Sequence, residues 1–140
     1  MGKEGLLFAI LTAFLWGSSP IIEKMGLTRV GPLAGVTIRS ISITIILIFI
    51  IFSTNLGNQL VQVDLKSVVL IIIGGIISGL IGQWSYFKAL KYWEASRVVP
   101  IAGSYPLIAF LFSLIFLKEE LTLQKIMGVI LVVVGVVFLR

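Results

Sequence analysis

The chain has 140 residues, of which 59% are hydrophobic and 12% charged, and its formal net charge is +5. A mean hydropathy of +1.16 lies far from that of a soluble domain and indicates an all-α integral membrane protein. Cysteine and histidine are both absent, which excludes disulfides and thiolate metal sites and removes the commonest general base. We therefore expect no cofactor, no metal site and no enzymatic activity. The basic residues are spread over the connections, a pattern that indicates contact with anionic lipid headgroups and no nucleic acid.

Five apolar stretches approach or reach the roughly 20 residues that a membrane-spanning helix requires. We predict a single domain over residues 1–140, with spans at residues 6–24, 33–52, 67–87, 98–117 and 123–139. The first stretch is longer than the apolar region of a signal peptide and contains Trp16 and Pro20, so we expect it to be retained. The longest polar stretch, residues 53–66, is predicted to be a loop with an interfacial turn.

Five spans place the two termini on opposite sides of the membrane. The lysines and arginines in the connections and near the span ends then divide into two groups, Lys3, Lys66, Lys118 and Lys125 on the N-terminal side and Lys24, Arg29, Lys88, Lys91, Arg97 and Arg140 on the other. Under the positive-inside rule this weak bias slightly favours an N-terminus outside the cell, and insertion in both orientations is nearly as compatible with it.

Polar residues recur on one face of the first span. Thr12, Trp16, Ser19 and Glu23 follow one another at helical spacing, and Pro20 leaves the carbonyl of Trp16 without its helical donor. This pattern favours a polar stripe that lines a pathway, with Glu23 as a proton or cation site. The alternative is that Glu23 is an ordinary residue near a helix end whose carboxylate reaches the interface.

Arg39 lies about two turns inside the second predicted span. A charge at that depth costs a few kcal/mol on insertion scales, so the side chain is expected to face the bundle, a cavity or a partner. There it would pair with a carboxylate or bind an anionic group of a substrate. The alternative is that it reaches the nearer interface from a short helix.

The third span combines small residues with polar and aromatic ones. Gly75 and Gly79 form a GxxxG pair, and Gly82 continues the small-residue pattern, which is typical of close helix packing. Gln83 and Tyr86 continue the Gly75–Gly79 face, which thus changes from small residues to polar and aromatic ones. We therefore predict packing over the glycines and substrate contact at Gln83 and Tyr86.

The last two spans carry prolines and glycines. Pro100 and Pro106 predict a broken or bent fourth span, a common feature of transporter sites, with Ser104 and Tyr105 beside the break. In the fifth span, Gly128 and Gly135 share a face that is predicted to pack against another helix or another subunit.

Taken in order, these motifs resemble the EamA-type repeat of the drug/metabolite transporter superfamily over nearly the whole chain. Residues 16–19 (WGSS) resemble the opening motif of that family, and Arg39 sits where its second helix often carries arginine. Further matches occur at the family's spacing, namely Ala89-Leu90, Ala95-Ser96, Pro106, Phe116-Leu117, Glu119, Leu121-Thr122, Gln124, Gly128 and Gly135. Two positions depart from the pattern, because Lys118 replaces the usual glycine and Glu120 the usual arginine.

The resemblance implies a ten-helix transporter fold of which this chain is one half, since most members are similar to two fused repeats of opposite topology. We expect a multi-pass protein of the cell membrane that carries a small polar or amphipathic metabolite by alternating access. Its second half would be another copy of itself, in an antiparallel homodimer, or a paralogous chain. The expected substrate contacts are Trp16, Ser19, Arg39, Gln83, Tyr86, Ser104 and Tyr105. Glu23 is the candidate for proton or ion coupling, and Gly75, Gly79, Gly82, Gly128 and Gly135 are the candidates for packing.

Two alternatives remain open from the sequence. A small multidrug-resistance-like exporter would carry an acidic residue three positions before a glycine of the first span, but Phe14 stands there before Gly17. Glu23 would have to substitute for it. A membrane assembly subunit that transports nothing explains the glycine faces equally well, but it explains Arg39 less well.

Overall fold

The computed structural model describes residues 3–138, and the regular structure in that range is helical. The elements, in chain order, are α1 (Lys3–Leu27), α2 (Pro32–Ser53), α3 (Leu56–Val61), α4 (Leu65–Gly75), a π-helical segment (Ile76–Gly82), α5 (Gln83–Tyr92), α6 (Ala95–Ala102), α7 (Tyr105–Phe116) and α8 (Leu123–Phe138). The expectation of an all-α fold is confirmed.

Four helical stretches are long and apolar enough to cross a membrane: Glu4–Leu27, Pro32–Ser53, Leu65–Tyr92 and Ala95–Phe116. The helix α8 is apolar but shorter, with 16 residues and therefore a length of about 24 Å. Together they agree with a membrane protein of about five spans. The predicted end of the last span at Leu139, the charge of Arg140 and the side chain of Lys3 lie outside what the structure describes.

Some helix boundaries differ from the predictions. The polar stretch at residues 53–66 contains the short helix α3. Residues 88–97, predicted to connect the third and fourth spans, are mostly helical. The helix α5 continues to Tyr92, in agreement with a third helix that extends toward Trp93, and α6 starts at Ala95. Lysines on α5 are accommodated in the helix because their long side chains reach other groups; Lys88 Nζ, for example, lies 5.1 Å from the ring centroid of Trp84.

Polar side chains at the helix starts explain why two of the apolar helices begin where they do. Asp64 precedes α4, where its Oδ2 accepts from the Ser67 amide at 2.9 Å and its Oδ1 accepts from the Ser67 hydroxyl at 2.7 Å. Thr122 precedes α8, and its Oγ1 accepts from the Lys125 amide at 3.3 Å. Each side chain satisfies an amide that the first helical turn leaves without a partner.

The described chain divides into two compact units. One comprises residues 3–21 and 93–138, in which α7 packs against α8 and the buried residues are Pro20, Ala95 and Val98. The other comprises residues 22–92, in which α2 packs against α5. Its buried apolar residues come from the end of α1, from α2 and from α5, namely Leu27, Val36, Phe87 and Leu90.

Glycine permits the closest packing in the second unit. An added Cβ at Gly35 would lie 3.0 Å from Leu27 Cδ2 and 3.1 Å from Phe87 Cδ2, closer than side chains normally approach. The start of α2 therefore meets the end of α1 and the middle of α5 at a point where a side chain does not fit.

Two lysines link the same three helices through backbone carbonyls. Lys24 Nζ donates to the Leu90 carbonyl at 2.6 Å, and Lys91 Nζ donates to the Val30 carbonyl at 3.0 Å. Both carbonyls lie at or beside helix ends, where the helix itself supplies no donor. Each of the two segments, the α1–α2 hairpin and the end of α5, thus supplies a lysine donor to a backbone carbonyl of the other.

The third span contains a π-helical segment that changes its predicted register. In residues 76–82 the backbone bonds run from i to i+5, so the four-residue spacing that placed Gln83 and Tyr86 on the Gly75–Gly79 face is not maintained. An added Cβ at Gly82 would lie 3.1 Å from the Ile77 carbonyl oxygen. Within the described chain, the steric demand at Gly82 comes from the backbone of its own span.

The fourth span is broken, as its prolines indicate. The helix α6 ends at Ala102 and α7 starts at Tyr105, with Gly103 and Ser104 between them. Pro106 occupies the first turn of α7, where a missing amide hydrogen costs nothing. The Ser104 hydroxyl donates to the Ile101 carbonyl at 2.7 Å and so supplies a donor inside the break.

Candidate functional site

Glu23 and Arg39 form an ion pair inside the first two spans. The Arg39 Nε lies 3.5 Å from the Glu23 Oε1. Glu23 comes four residues before the end of α1, and Arg39 comes seven residues after the start of α2. At 1.5 Å per residue both lie about 6–10 Å from the short α1–α2 connection, which is why the two side chains reach each other. The carboxylate partner that the sequence left open for Arg39 is Glu23.

The geometry of this pair leaves the arginine incompletely used. A distance of 3.5 Å exceeds that of a normal N–H···O hydrogen bond, which is 2.7–3.2 Å. Within residues 3–138 the guanidinium, which carries five N–H donors, makes no hydrogen bond. The Arg39 side chain is 42% exposed, whereas that of Glu23 is 18% exposed. The pair neutralises two charges that would each be costly in a span, and the accessible partner is the cation.

Tyr86, on α5, lies within electrostatic range of the Glu23 carboxylate and is partly buried. Its ring also lies 6.4 Å, centroid to centroid, from that of the buried Phe87. Gln83, about one turn earlier on α5, is partly buried, and in the described chain no hydrogen bond or ion pair joins it to Glu23 or Arg39. Three helices therefore contribute to the cluster of Glu23, Arg39 and Tyr86, which we call the charged cluster.

The other unit contains an aromatic pair. The rings of Trp16 and Tyr105 lie 6.4 Å apart, centroid to centroid, at an interplanar angle of 61°, which is an edge-to-face arrangement. Both side chains remain exposed, and Tyr105 directly follows the break in the fourth span. Ser19, on α1, is partly buried. Exposed aromatic surface with polar edges suits an amphipathic molecule.

The structure thus groups the predicted residues unevenly. It brings together Glu23, Arg39 and Tyr86 in one unit and Trp16 and Tyr105 in the other. The role of Lys24 was missed, since it had been treated as an ordinary residue at the end of a span. Its carbonyl partner lies 66 residues away, and no local sequence pattern signals such a contact.

Comparison with known proteins agrees with an all-α membrane protein. A model of the EamA-like transporter family matches residues 3–140. The chain belongs to the EamA-like transporter family. It is accordingly a multi-pass cell-membrane protein from a family of transporters rather than of enzymes.

Relatives in this family come in two lengths. An uncharacterized protein of Methanocaldococcus jannaschii is 25% identical over 137 residues, which cover 96% of this chain and 94% of that protein. An uncharacterized transporter in the cobO 3′ region of a Sinorhizobium species is 24% identical over 140 residues, which cover 99% of this chain and 98% of that protein. An uncharacterized transporter of Archaeoglobus fulgidus is 27% identical over 131 residues, which cover 94% of this chain but only 46% of that protein. No solved structure matches the chain.

Proposed function

We propose that this EamA-family protein carries a small polar or amphipathic metabolite across the cell membrane and works as a dimer by alternating access. The observation that carries the proposal is the charged cluster. Ionisable residues inside spans are costly, and where they occur they usually mark a substrate or ion pathway. Here Arg39 and Glu23 are contributed by two neighbouring spans, with Tyr86 from a third.

The dimer is supported by apolar surfaces that the described chain does not cover. No other part of it lies within 4 Å of an added Cβ at Gly75, Gly79, Gly128 or Gly135. Small residues let helices approach closely in a bilayer, so these faces suit a second chain. The Archaeoglobus relative, of which the chain matches less than half, is consistent with two such units working together. The charge bias between the connections is weak enough to be compatible with an antiparallel arrangement of two copies.

Transport is tested with the purified protein in liposomes, to which labelled amino acids, small carboxylic acids, sugars and polyamines are added from outside. We expect time-dependent uptake of at least one compound and a loss of at least tenfold in initial rate for Arg39→Gln. The matched control is Arg97→Gln, because Arg97 also forms an ion pair, with Glu94 at 3.8 Å, but at the exposed start of α6. Arg97→Gln is expected to retain the rate.

Cross-linking of the same samples separates transport from assembly. If dimers form and no compound of the panel moves, the protein is an assembly subunit and the proposal is wrong. A lipophilic cation that is exported in exchange for protons would indicate a small multidrug-resistance-like mechanism instead. In that case Glu23→Gln would abolish the export and Arg39→Gln would not.

A further inference from the structure

We infer that Glu23 occupies the position on Arg39 that a substrate carboxylate takes, so that the transported molecule is a small organic anion that displaces Glu23. This inference rests on the proposed transport function and specifies the chemical class of its substrate. It depends on the hydrogen bonds that the Arg39 guanidinium does not make with the Glu23 carboxylate.

The first step is the unused hydrogen-bonding capacity of Arg39. A guanidinium presents its N–H groups in a plane and binds carboxylates best through two parallel hydrogen bonds. Glu23 instead lies with its Oε1 3.5 Å from the Nε, and no hydrogen bond joins the two side chains in the described chain. An incoming carboxylate that bonds the guanidinium in the bidentate manner would form hydrogen bonds that Glu23 does not make. The exchange of one carboxylate for another keeps the charge attraction and adds these bonds.

The second step is access. The Arg39 side chain is 42% exposed and that of Glu23 is 18% exposed, so a ligand reaches the cation more readily than the anion. Arg39 lies about 10 Å along α2 from its start, which is within the hydrocarbon depth of the span. A cation accessible at that depth attracts anions, and a neutral compound of the same shape gains much less there.

The third step is the fate of Glu23 after displacement. A carboxylate left without a partner inside a span is costly. Tyr86 lies within electrostatic range of Glu23, and its phenolic hydroxyl is a hydrogen-bond donor. In the proposed exchange, Glu23 turns to Tyr86 when the ligand takes Arg39. The charged cluster then has two states, one with Glu23 on Arg39 and one with Glu23 beside Tyr86.

The inference is tested by binding to the full chain, purified in an uncharged detergent. The probes are acetate, benzoate, succinate and citrate, and each of the first three is compared with its neutral amide. We expect at least one carboxylate to bind tenfold or more tightly than its amide. Arg39→Gln should lose this preference. Glu23→Gln should bind the same carboxylate at least threefold more tightly than the unmodified protein, because the internal competitor is gone.

Controls address folding and nonspecific charge effects. Each variant is accepted only if it remains monodisperse. Glu23→Asp, which keeps the charge on a shorter side chain, should give an affinity between those of the unmodified protein and Glu23→Gln. Glu94→Gln and Arg97→Gln, which remove an exposed ion pair of 3.8 Å in the same way, should change nothing. Weaker binding in Glu23→Gln would overturn the inference, because Glu23 would then support the ligand and not compete with it.

A lipid phosphate offers the same chemistry as a soluble anion, so the measurement is repeated in nanodiscs of phosphatidylcholine with and without phosphatidylglycerol. If phosphatidylglycerol removes the carboxylate preference through Arg39, the occupant is a headgroup and the inference is wrong. The proposed function fails separately. Uptake of a neutral or cationic compound, and of no anion, would leave the proposed transport intact and overturn only the anionic class of the substrate.

Discussion

Lys118 is the one non-glycine residue with a positive φ in the described chain, at 52°. It follows α7 in the turn that leads to α8. L-residues pay about 1 kcal/mol for this left-handed conformation, and glycine pays nothing. The turn is maintained by Lys125, whose Nζ lies 3.2 Å from the Glu119 Oε2 and 3.1 Å from the Glu120 carbonyl. The backbone conformation at position 118 is therefore one that glycine adopts more readily than lysine.

We expect Lys118→Gly to stabilise the protein by about 1 kcal/mol, because it removes the left-handed strain. The measurement is the thermal unfolding midpoint in detergent, which should rise. Glu120→Gly is the control, since its φ is not positive; it relieves no strain and should not raise the midpoint. A lower midpoint for Lys118→Gly would mean that the lysine side chain contributes more than its backbone conformation costs.

Asp64 is the clearest titrating group outside the spans. Hydrogen bonds from the amide and the hydroxyl of Ser67 stabilise its charged form and hold the pKa of this carboxyl below its usual value. A lowered pKa in the folded state gives stability that is present above the ordinary value, about 4, and is lost as the pH falls through the folded value.

Unfolding midpoints measured between pH 7 and pH 3 should therefore show a loss of stability below about pH 4, and Asp64→Asn should lack part of it. Glu94→Gln is the matched control, because Glu94 precedes α6 in the same cap position but makes no hydrogen bond with its side chain there. If the unfolding midpoints of the two variants depend on pH in the same way, the hydrogen bonds of Asp64 do not contribute to the stability.

Among the elements, the π-helical segment of residues 76–82 distinguishes the third span. Each π turn holds an extra residue, so α5 is rotated relative to the register that an uninterrupted α-helix would give it. This rotation determines how α5 presents Phe87 and Leu90, its two buried residues in the unit where it packs against α2. π-helical turns are frequent at functional sites, and this one ends directly before Gln83.

Gly82→Ala should destabilise the third span relative to Gly79→Ala by about 1 kcal/mol. An added Cβ meets the Ile77 carbonyl oxygen at 3.1 Å in the first case and nothing within 4 Å in the second. The difference in unfolding midpoint between the two variants tests this, since both gain the same intrinsic helix preference of alanine over glycine. Equal midpoints would show that the π-helical backbone tolerates a side chain at position 82.

For the whole molecule, the solvent is the bilayer. Most large apolar side chains of the spans are exposed, and lipid tails or a second chain cover them. The four uncovered glycines of the third and fifth spans lie on the surfaces that suit a second chain. An antiparallel dimer requires that copies of the chain insert in both orientations.

The absence of cysteine makes this orientation measurable with single introduced thiols. Thr28→Cys and Gln62→Cys place a thiol in the connections before and after α2, on opposite sides of one span. If both orientations exist, a membrane-impermeant maleimide added to intact cells should label about half of each variant. Full labelling of one position and none of the other would exclude the antiparallel homodimer. Detergent-treated cells are the control for total reactivity.

A structural feature could be predicted from the sequence where the residues that determine it are close together in the chain. Hydropathy over about 20 residues predicted the apolar spans, and prolines predicted the break before Tyr105, because a missing amide hydrogen acts on its own helix. The family itself followed from ordered motifs along the chain. These features require no knowledge of which helices meet.

The charged cluster and the π-helical segment depended on the tertiary structure. The sequence marked Arg39 as needing a partner, but Glu23 became that partner only through the packing of α1 against α2 around Gly35. Likewise, the GxxxG spacing of Gly75 and Gly79 fits a regular α-helix, and no local sequence pattern predicts the wider turns of the π-helical segment. The spans were determined by the free energy of placing each segment in lipid, a sum over its own residues. The cluster was decided by contacts between segments, which no single segment contains.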